Sequence, residues 1–236
     1  MRAEERGMLM ATIKTGDFIE LDYTGKLEDG TIFDTTRRED AMTGRLDQKA
    51  AYKPAIICIG EGQLLPGLDE YLTGKTLGAH SCSLPAEKAF GKKDAKLLKL
   101  IPLQKFKEAN IQPVQGLPLN IDGHYGVVRT ISGGRVTVDF NHPLAGKDVT
   151  YDVDVTRVVT DPAVQVAAIL DMAALHHHGV TIEGEGHVVI TVDHALPQPL
   201  AESLNTLITK LTKLHTVSYH VEAHHHGGAA SDHPHH

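Results

Sequence analysis

The chain is short of three things, and each shortage excludes a class of protein. It holds two cysteines in 236 residues, Cys58 and Cys82. Both stand in apolar, strand-like contexts and read as buried thiols rather than a disulfide, the state an intracellular compartment maintains. No apolar run approaches the ~20 residues a membrane-spanning helix needs. Met1-Arg2-Ala3-Glu4-Glu5-Arg6 is charged where a secretory signal turns apolar, so the expected location is the cytoplasm, with no membrane partner. Positive charge is the third shortage: 23 Lys and Arg against 30 Asp and Glu give a formal net charge of -7. Phosphate contacts need a concentrated basic face, so nucleic acid is not an expected partner and proteins are. What the chain does have is 41% hydrophobic residues, enough for one large core or two to three small ones.

Ile19, Leu21 and Tyr23 alternate with Phe18, Glu20, Asp22 and Thr24, the pattern of a strand with one face toward a core. The Glu28-Asp29-Gly30 turn returns the chain through Ile32 and Phe33. Alternation is looser from Pro54 to Ile59. Pro66-Gly67 then opens a short helix with Leu68, Tyr71 and Leu72 on one face and Gly74 as its C-terminal cap. Val149, Tyr151, Val153 and Val155 alternate again late in the chain, as a last strand of the same sheet.

Two segments carry more than periodicity. One is DYTGKLEDGTIFDTT, the other GEGQLLPGLDEYLTGKTLGAHSCSLPAEKAFG between Gly60 and Gly91. Tyr23, Phe33-Asp34, Leu64-Leu65-Pro66-Gly67, Leu68 and Ala89-Phe90-Gly91 fall in an order and spacing that resembles the signature of the FKBP-type peptidyl-prolyl isomerases. The resemblance covers roughly Asp17 to Val155. It implies an α+β fold, an antiparallel sheet around a short helix, and catalysis of X-Pro rotation with no cofactor required. It also implies a proline-binding pocket lined by Tyr23, Phe33, Leu64, Leu65, Leu68, Phe90 and Tyr151. The Leu65 N–H would donate to a substrate carbonyl, and Asp34 would be a polar group at the rim, oriented by the Tyr23 hydroxyl. Such chemistry needs no nucleophile, because the barrier, roughly 18 to 20 kcal/mol, is loss of amide resonance. Read alone, Leu64, Leu65 and Leu68 are ordinary core residues. Three positions depart from the family pattern: Leu68 stands where Trp is frequent, Ala55 where a wall aromatic can occur, and Phe90 where Tyr is usual. The last two lower the expected affinity for drug-type ligands and the expected catalytic efficiency.

In a minimal member of that family a loop links the Ala-Phe-Gly corner to the last strand, whereas here Lys92 to Ala145 intervenes. That length far exceeds the ~12 to 15 residues an unstructured loop tolerates in a compact domain, so it reads as an inserted domain. Val127-Val128, Ile131 and Val136, Val138, Phe140 give it strands, joined at Ser132-Gly133-Gly134. Its exit, Phe140-Asn141-His142-Pro143-Leu144-Ala145-Gly146, resembles the junction by which SlyD-like FKBPs leave their insert-in-flap domain. The expected type is the long one associated with archaea. Leu97, Leu98, Leu100, Ile101, Leu103, Phe106, Ile111, Val114 and Leu117 supply the insert's core and an exposed apolar cleft for unfolded or proline-containing polypeptides.

After Val159 the pattern changes to a third, α+β unit. Asp161-Pro162 starts a helix that would run to about Leu175. Strands follow at Thr181–Glu183 and Val188–Val192, then a helical stripe of Leu200, Leu204, Leu207, Ile208 and Leu211, then a strand through Val217, Tyr219 and Val221. Such a small sheet leaves an edge or an apolar face, and homodimerisation through it is expected. The division is therefore 1–11 flexible, 12–91 with 146–159 catalytic, 92–145 inserted, 160–223 C-terminal and 224–236 a His-rich tail. His224, His225, His226, His233, His235 and His236 are candidate ligands for nickel or zinc. His176-His177-His178 is expected to end a helix, where cationic side chains suit the dipole. Rival readings are a non-catalytic holdase and a metal-delivery protein acting through the tail.

Overall fold

The computed structural model describes residues 12–222 except Glu185. The six tail histidines and residues 1–11 lie outside the described residues.

The first sheet is built on β1 (Phe18–Leu27). On one side β1 pairs along its length with β9 (Val149–Val158), whose far side carries β4 (Gly78–Leu84). On its other side it pairs first with β3 (Ala55–Cys58) and then with β2 (Ile32–Thr35). All these pairings are antiparallel, although β1 and β9 are far apart in sequence. α1 (Arg38–Thr43) follows β2. α2 (Pro66–Leu72) starts with Pro at a position where no helical N–H is needed, and the chain leaves it through Gly74 at φ +82, a conformation that suits glycine. Its Leu68 and Leu72 bury against Ile19, Leu21, Ile57, Ile59, Val153 and Val155 in one core.

The inserted segment forms its own sheet from β5 (Leu98–Pro102), β6 (Pro118–Ile121), β7 (His124–Ser132) and β8 (Arg135–Asp139), in the order β5-β8-β7-β6. α3 (Leu103–Glu108) contributes Phe106 to a core with Leu119, Val128, Val136 and Val138. Gly133 and Gly134, both at positive φ, make the β7–β8 turn. Entry and exit chains run side by side: the Gly146 N–H donates to the Gly91 carbonyl at 2.8 Å, and the Asp94 N–H to Asn141 Oδ1 at 2.8 Å. Neighbouring ends are what allow a domain to be inserted without pulling the host sheet apart. Beside this junction Asp139 is buried. Burial opposes its ionisation, but hydrogen bonds from the Asn141 side chain and N–H and from Arg129 outweigh that and hold its pKa at about 2.

The third unit comprises α4 (Pro162–Met172), β10 (Gly179–Glu183), β11 (His187–Val192), α5 (Gln198–Leu211) and β12 (Thr216–Val221). The Asp161 side chain caps α4 by accepting the Ala163 N–H at 2.9 Å. β11 pairs antiparallel with β10 and parallel with β12. Two expectations need correction. α4 ends at Met172, and Ala174 at φ +52 turns the chain, so His176–His178 do not close a helix. They form an irregular link that bends at His178 and enters β10 at Gly179, with the His178 N–H donating to the Thr191 carbonyl at 2.9 Å. Nor does the unit close its core alone. Val166, Ile169 and Leu170 of α4 pack with Val188, Ile190, Val192, Leu204 and Ile208, but also with Phe18, Cys58 and Val159 of the first sheet. Phe18 and Ile19 point to opposite faces of β1, and this unit covers the second face at its Phe18 end, while Glu20 and Asp22 farther along that face stay partly exposed. The apolar face offered as one reason for dimerisation is thus filled by α4 and α5. Cys58 and Cys82 are both buried and free, as expected.

Candidate functional site

Tyr23 and Asp34 come from neighbouring strands, Tyr23 standing two positions before Gly25, the register partner of Asp34. The Tyr23 hydroxyl donates to Asp34 Oδ2 at 3.0 Å. Threonines hold this geometry: the Tyr23 N–H donates to Thr36 Oγ1 at 2.9 Å, the Thr36 N–H to the Tyr23 carbonyl at 3.0 Å, and the Thr36 hydroxyl to Asp22 Oδ1 at 2.7 Å. The Thr35 hydroxyl also donates to the Tyr23 carbonyl, and that of Thr24 to Asp40. The Asp34-Thr35-Thr36 run is therefore the clamp that fixes both rim groups.

Four aromatic rings gather behind the rim. Phe33 meets Phe90 edge to face at 5.6 Å and Tyr151 edge to face at 5.8 Å, and Tyr23 tilts against Tyr151 at 5.8 Å. Gly25 lies beneath them. A Cβ there would stand 2.8 Å from Phe33 Cζ and 3.0 Å from Tyr151 Cζ, so the absence of a side chain is what lets the rings close over β1. Leu68 and Tyr151 are buried and form the floor, whereas Tyr23, Phe33, Leu64, Leu65 and Phe90 are half-buried around it. All seven apolar pocket residues expected from the sequence, together with Asp34, thus come together, and Ala55 packs on the same cluster. Leu65 is the N-cap of α2, so its N–H stands outside the helical hydrogen-bond ladder and is open to an acceptor. Burial, and then the nearby Asp34 carboxylate, raise the Tyr23 phenol well above its ordinary 10.0. Tyr151 is raised by burial, Asp34 and Tyr23. Both hydroxyls stay protonated far into the alkaline range.

Sequence reasoning missed His142. Its ring stacks face to face on Phe90, centroids 4.7 Å apart and nearly parallel, so Phe90 is held between Phe33 and the loop by which the chain leaves the insert. The Asn141-His142-Pro143 signal was visible as a junction, but nothing local in it points to Phe90. Gly25 and Thr36 were missed for the same reason, since their roles are contacts across strands.

A second surface lies on the insert. Leu98 and Leu100 project from β5, an edge strand, with Leu100 63% exposed, and Ile111, Val114, Tyr125 and Ile131 are also exposed. Much of the apolar content expected at the start of the insert is therefore outside its core, because Phe106, Val128, Val136 and Val138 already fill it. No described helix is long and apolar enough to cross a membrane.

The family model described as FKBP-type peptidyl-prolyl cis-trans isomerase matches residues 10–107, and one described as the FKBP26 IF domain matches residues 99–144. A short-type peptidyl-prolyl cis-trans isomerase of Methanocaldococcus jannaschii is 31% identical over 148 residues, 62% of this chain and 94% of its own length. The FKBP-type 16 kDa isomerase of Escherichia coli is 31% identical over 159 residues, 65% of this chain and 97% of its own. The SlyD isomerase of Aeromonas hydrophila is 28% identical over 172 residues, 72% of each chain.

Proposed function

Since the chain belongs to the FKBP-type peptidyl-prolyl cis-trans isomerases, of the SlyD kind, we propose that the aromatic patch is where it turns X-Pro bonds and that the insert holds the unfolded chains which carry them. The observation that supports the catalytic reading is the arrangement of a buried Leu68–Tyr151 floor, half-exposed aromatic walls and one hydrogen-bonded Tyr23–Asp34 pair at the rim.

A prolyl ring set on that floor leaves water. Its amide passes through a twisted state that has lost resonance, and an apolar, dry surround disfavours the planar, more polar form relative to the twisted one. The Leu65 N–H donates to a substrate carbonyl, which fixes the chain on one side of the rotating bond. Asp34 faces the twisting amide with its carboxylate orientation set by Tyr23. No bond is made or broken.

Exposed Leu98 and Leu100 on an edge strand suit an extended, unfolded polypeptide, which can add backbone hydrogen bonds to β5 and side chains to its apolar face. The same proposal makes the protein a chaperone. It places nickel or zinc on the tail through His224, His225 and His226 with His233, His235 and His236, on the strength of their clustering alone. An exchange NMR measurement on a proline peptide tests the core of the reading. Uncatalysed exchange takes tens to hundreds of seconds, so modest acceleration is visible. Faster exchange with the wild-type chain and a roughly tenfold smaller catalysed rate in Asp34→Ala support the assignment. An Asp34→Ala rate equal to wild type overturns that residue's role.

A further inference from the structure

Three strand ends of the C-terminal sheet meet at one corner. Because β10 is antiparallel to β11 and β12 is parallel to it, the start of β10 lies beside the ends of β11 and β12. Each end carries a side chain able to bind metal: His176 and His178 lead into β10, Asp193 follows β11 and Glu222 follows β12. His176 Nδ1 is 2.8 Å from Asp193 Oδ2, and His178 Nε2 is 2.6 Å from Asp193 Oδ1. His178 Nδ1 is 3.7 Å from Glu222 Oε2, and the two imidazoles meet edge to face at 5.0 Å. One ligating atom from each of His176, His178 and Asp193 falls within 4.8 Å of the others.

The backbone under this cluster is paired. The His178 N–H donates to the Thr191 carbonyl at 2.9 Å and the Glu222 N–H to the Val192 carbonyl at 3.0 Å. His176 and His178 both face Asp193, while His177 turns toward Asp171.

The geometry points to a site for one divalent transition ion, of which zinc is the type, held by His176, His178 and Asp193, with Glu222 beside the other ring nitrogen of His178 as a partner that orients it. Two neutral imidazoles and a carboxylate form a borderline nitrogen–oxygen donor set, suited to zinc or nickel rather than to calcium or magnesium. Bonds of ~2.0 to 2.2 Å in a tetrahedral site separate ligand atoms by roughly 3.3 Å. The present nitrogen–oxygen contacts need to open by roughly 0.5 to 1 Å and the ligand atoms that lie up to 4.8 Å apart to close toward that spacing, within reach of rotamer adjustment in side chains at the surface. An ion there would lie between the rings and Asp193 and would tie the start of β10 to the end of β11. This site is part of the sheet and is distinct from the tail, whose His224 follows Glu222 by two positions in the sequence.

Competition for Zn2+ against a chromogenic chelator at pH 7.5 tests it in the full-length chain with the six tail histidines replaced by alanine. One ion per chain is expected, with a higher Tm in its presence. In that background His178→Ala or Asp193→Asn should weaken binding on the order of tenfold or more and abolish the Tm gain. Asp193→Asn keeps the side-chain volume and can still hydrogen-bond, so circular dichroism and peptide isomerisation should match the parent. A parent that takes up no zinc overturns the site, as does a folded Asp193→Asn variant that binds as tightly as its parent. The intact chain, titrated in parallel, reports the tail separately: stoichiometry above that of the six-alanine chain supports tail ligation, and equal stoichiometry removes it without touching the corner site.

Discussion

Asp34 is the ionisable rim group of the aromatic patch, and what gives it a defined orientation is the Tyr23 hydroxyl at 3.0 Å. Asp34→Ala is expected to slow isomerisation of a short peptide roughly tenfold, about 1.4 kcal/mol of transition-state stabilisation. Tyr23→Phe keeps the ring contact with Tyr151 and removes only the donor, so its loss should be smaller and in the same direction. Line-shape or exchange NMR on both variants checks the order, and a Tyr23→Phe loss exceeding that of Asp34→Ala would contradict it. The same residues set the behaviour at high pH. Tyr23 and Tyr151 have folded pKa values above the ordinary 10.0, raised first by burial. Between the unfolded and folded values the unfolded chain releases phenolic protons that the native state keeps, so stability falls as pH rises past about 10. Denaturant midpoints should be flat from pH 8 to about 9.5 and then decline, and Tyr151→Phe should soften that decline. Sequence made the Tyr23, Phe33-Asp34 and Leu64-Leu65 positions legible because they sit in contiguous signatures. His142 and Gly25 stayed hidden because each acts through a contact with a residue remote in sequence: Phe90 for one, Phe33 and Tyr151 for the other.

β5 carries the chaperone reading at the level of elements. Leu98 and Leu100 lie on one side of an edge strand and outside the insert's core, so replacing both by serine removes apolar surface without opening a cavity. The expected outcome is a folded protein whose rate on a short proline peptide is within about twofold of wild type. Its acceleration of a proline-limited refolding reaction should drop several-fold, because capture of the chain raises the local concentration of prolyl bonds without altering the chemistry. Equal losses on both substrates would place the effect in the active site instead. The route for such an effect exists, since His142 joins the insert's exit loop to Phe90. Periodicity predicted β7, β8 and the glycine turn between them well, because a hairpin's register is set locally. It predicted the end of α4 poorly. The helical stripe persists to Leu175, yet the chain turns at Ala174 and the Leu175 N–H closes back on the Leu170 carbonyl, a choice made by packing against β10 rather than by propensity.

The whole molecule is less divisible than its strand patterns suggest. Phe18, Cys58 and Val159 bury into the core of the C-terminal unit, so the first sheet turns one apolar face toward α2 and the Phe18 end of the other toward α4. Ending the chain after Val159 would expose that end. Such a protein is expected to aggregate or to lose several kcal/mol of stability, whereas Phe18→Ala in the full chain should cost about 3 to 5 kcal/mol and lower a single unfolding transition. Chemical denaturation followed by calorimetry decides this, and an unfolding curve for Phe18→Ala in which only the C-terminal unit shifts would count against a shared core. The proposed homodimerisation would have to use an edge strand of this unit's sheet, β10 or β12, since α4 and α5 already cover its apolar face. Light scattering at high micromolar concentration should show a dimer if such an edge pairs, and a monodisperse monomer would end the proposal.

By itself the sequence determined the family, the existence of an inserted β-rich segment and an α+β C-terminal region, because each is written in contiguous motifs or in a local period of two or 3.6 residues. Tertiary structure decided how these parts share surfaces. It put His142 on Phe90, covered the Phe18 end of the first sheet's second face, left Leu98 and Leu100 outside a filled core, and gathered His176, His178, Asp193 and Glu222 at one corner. Each of these depends on which distant elements meet, and a local pattern fixes the apolar face of a strand or helix without naming the element that will cover it.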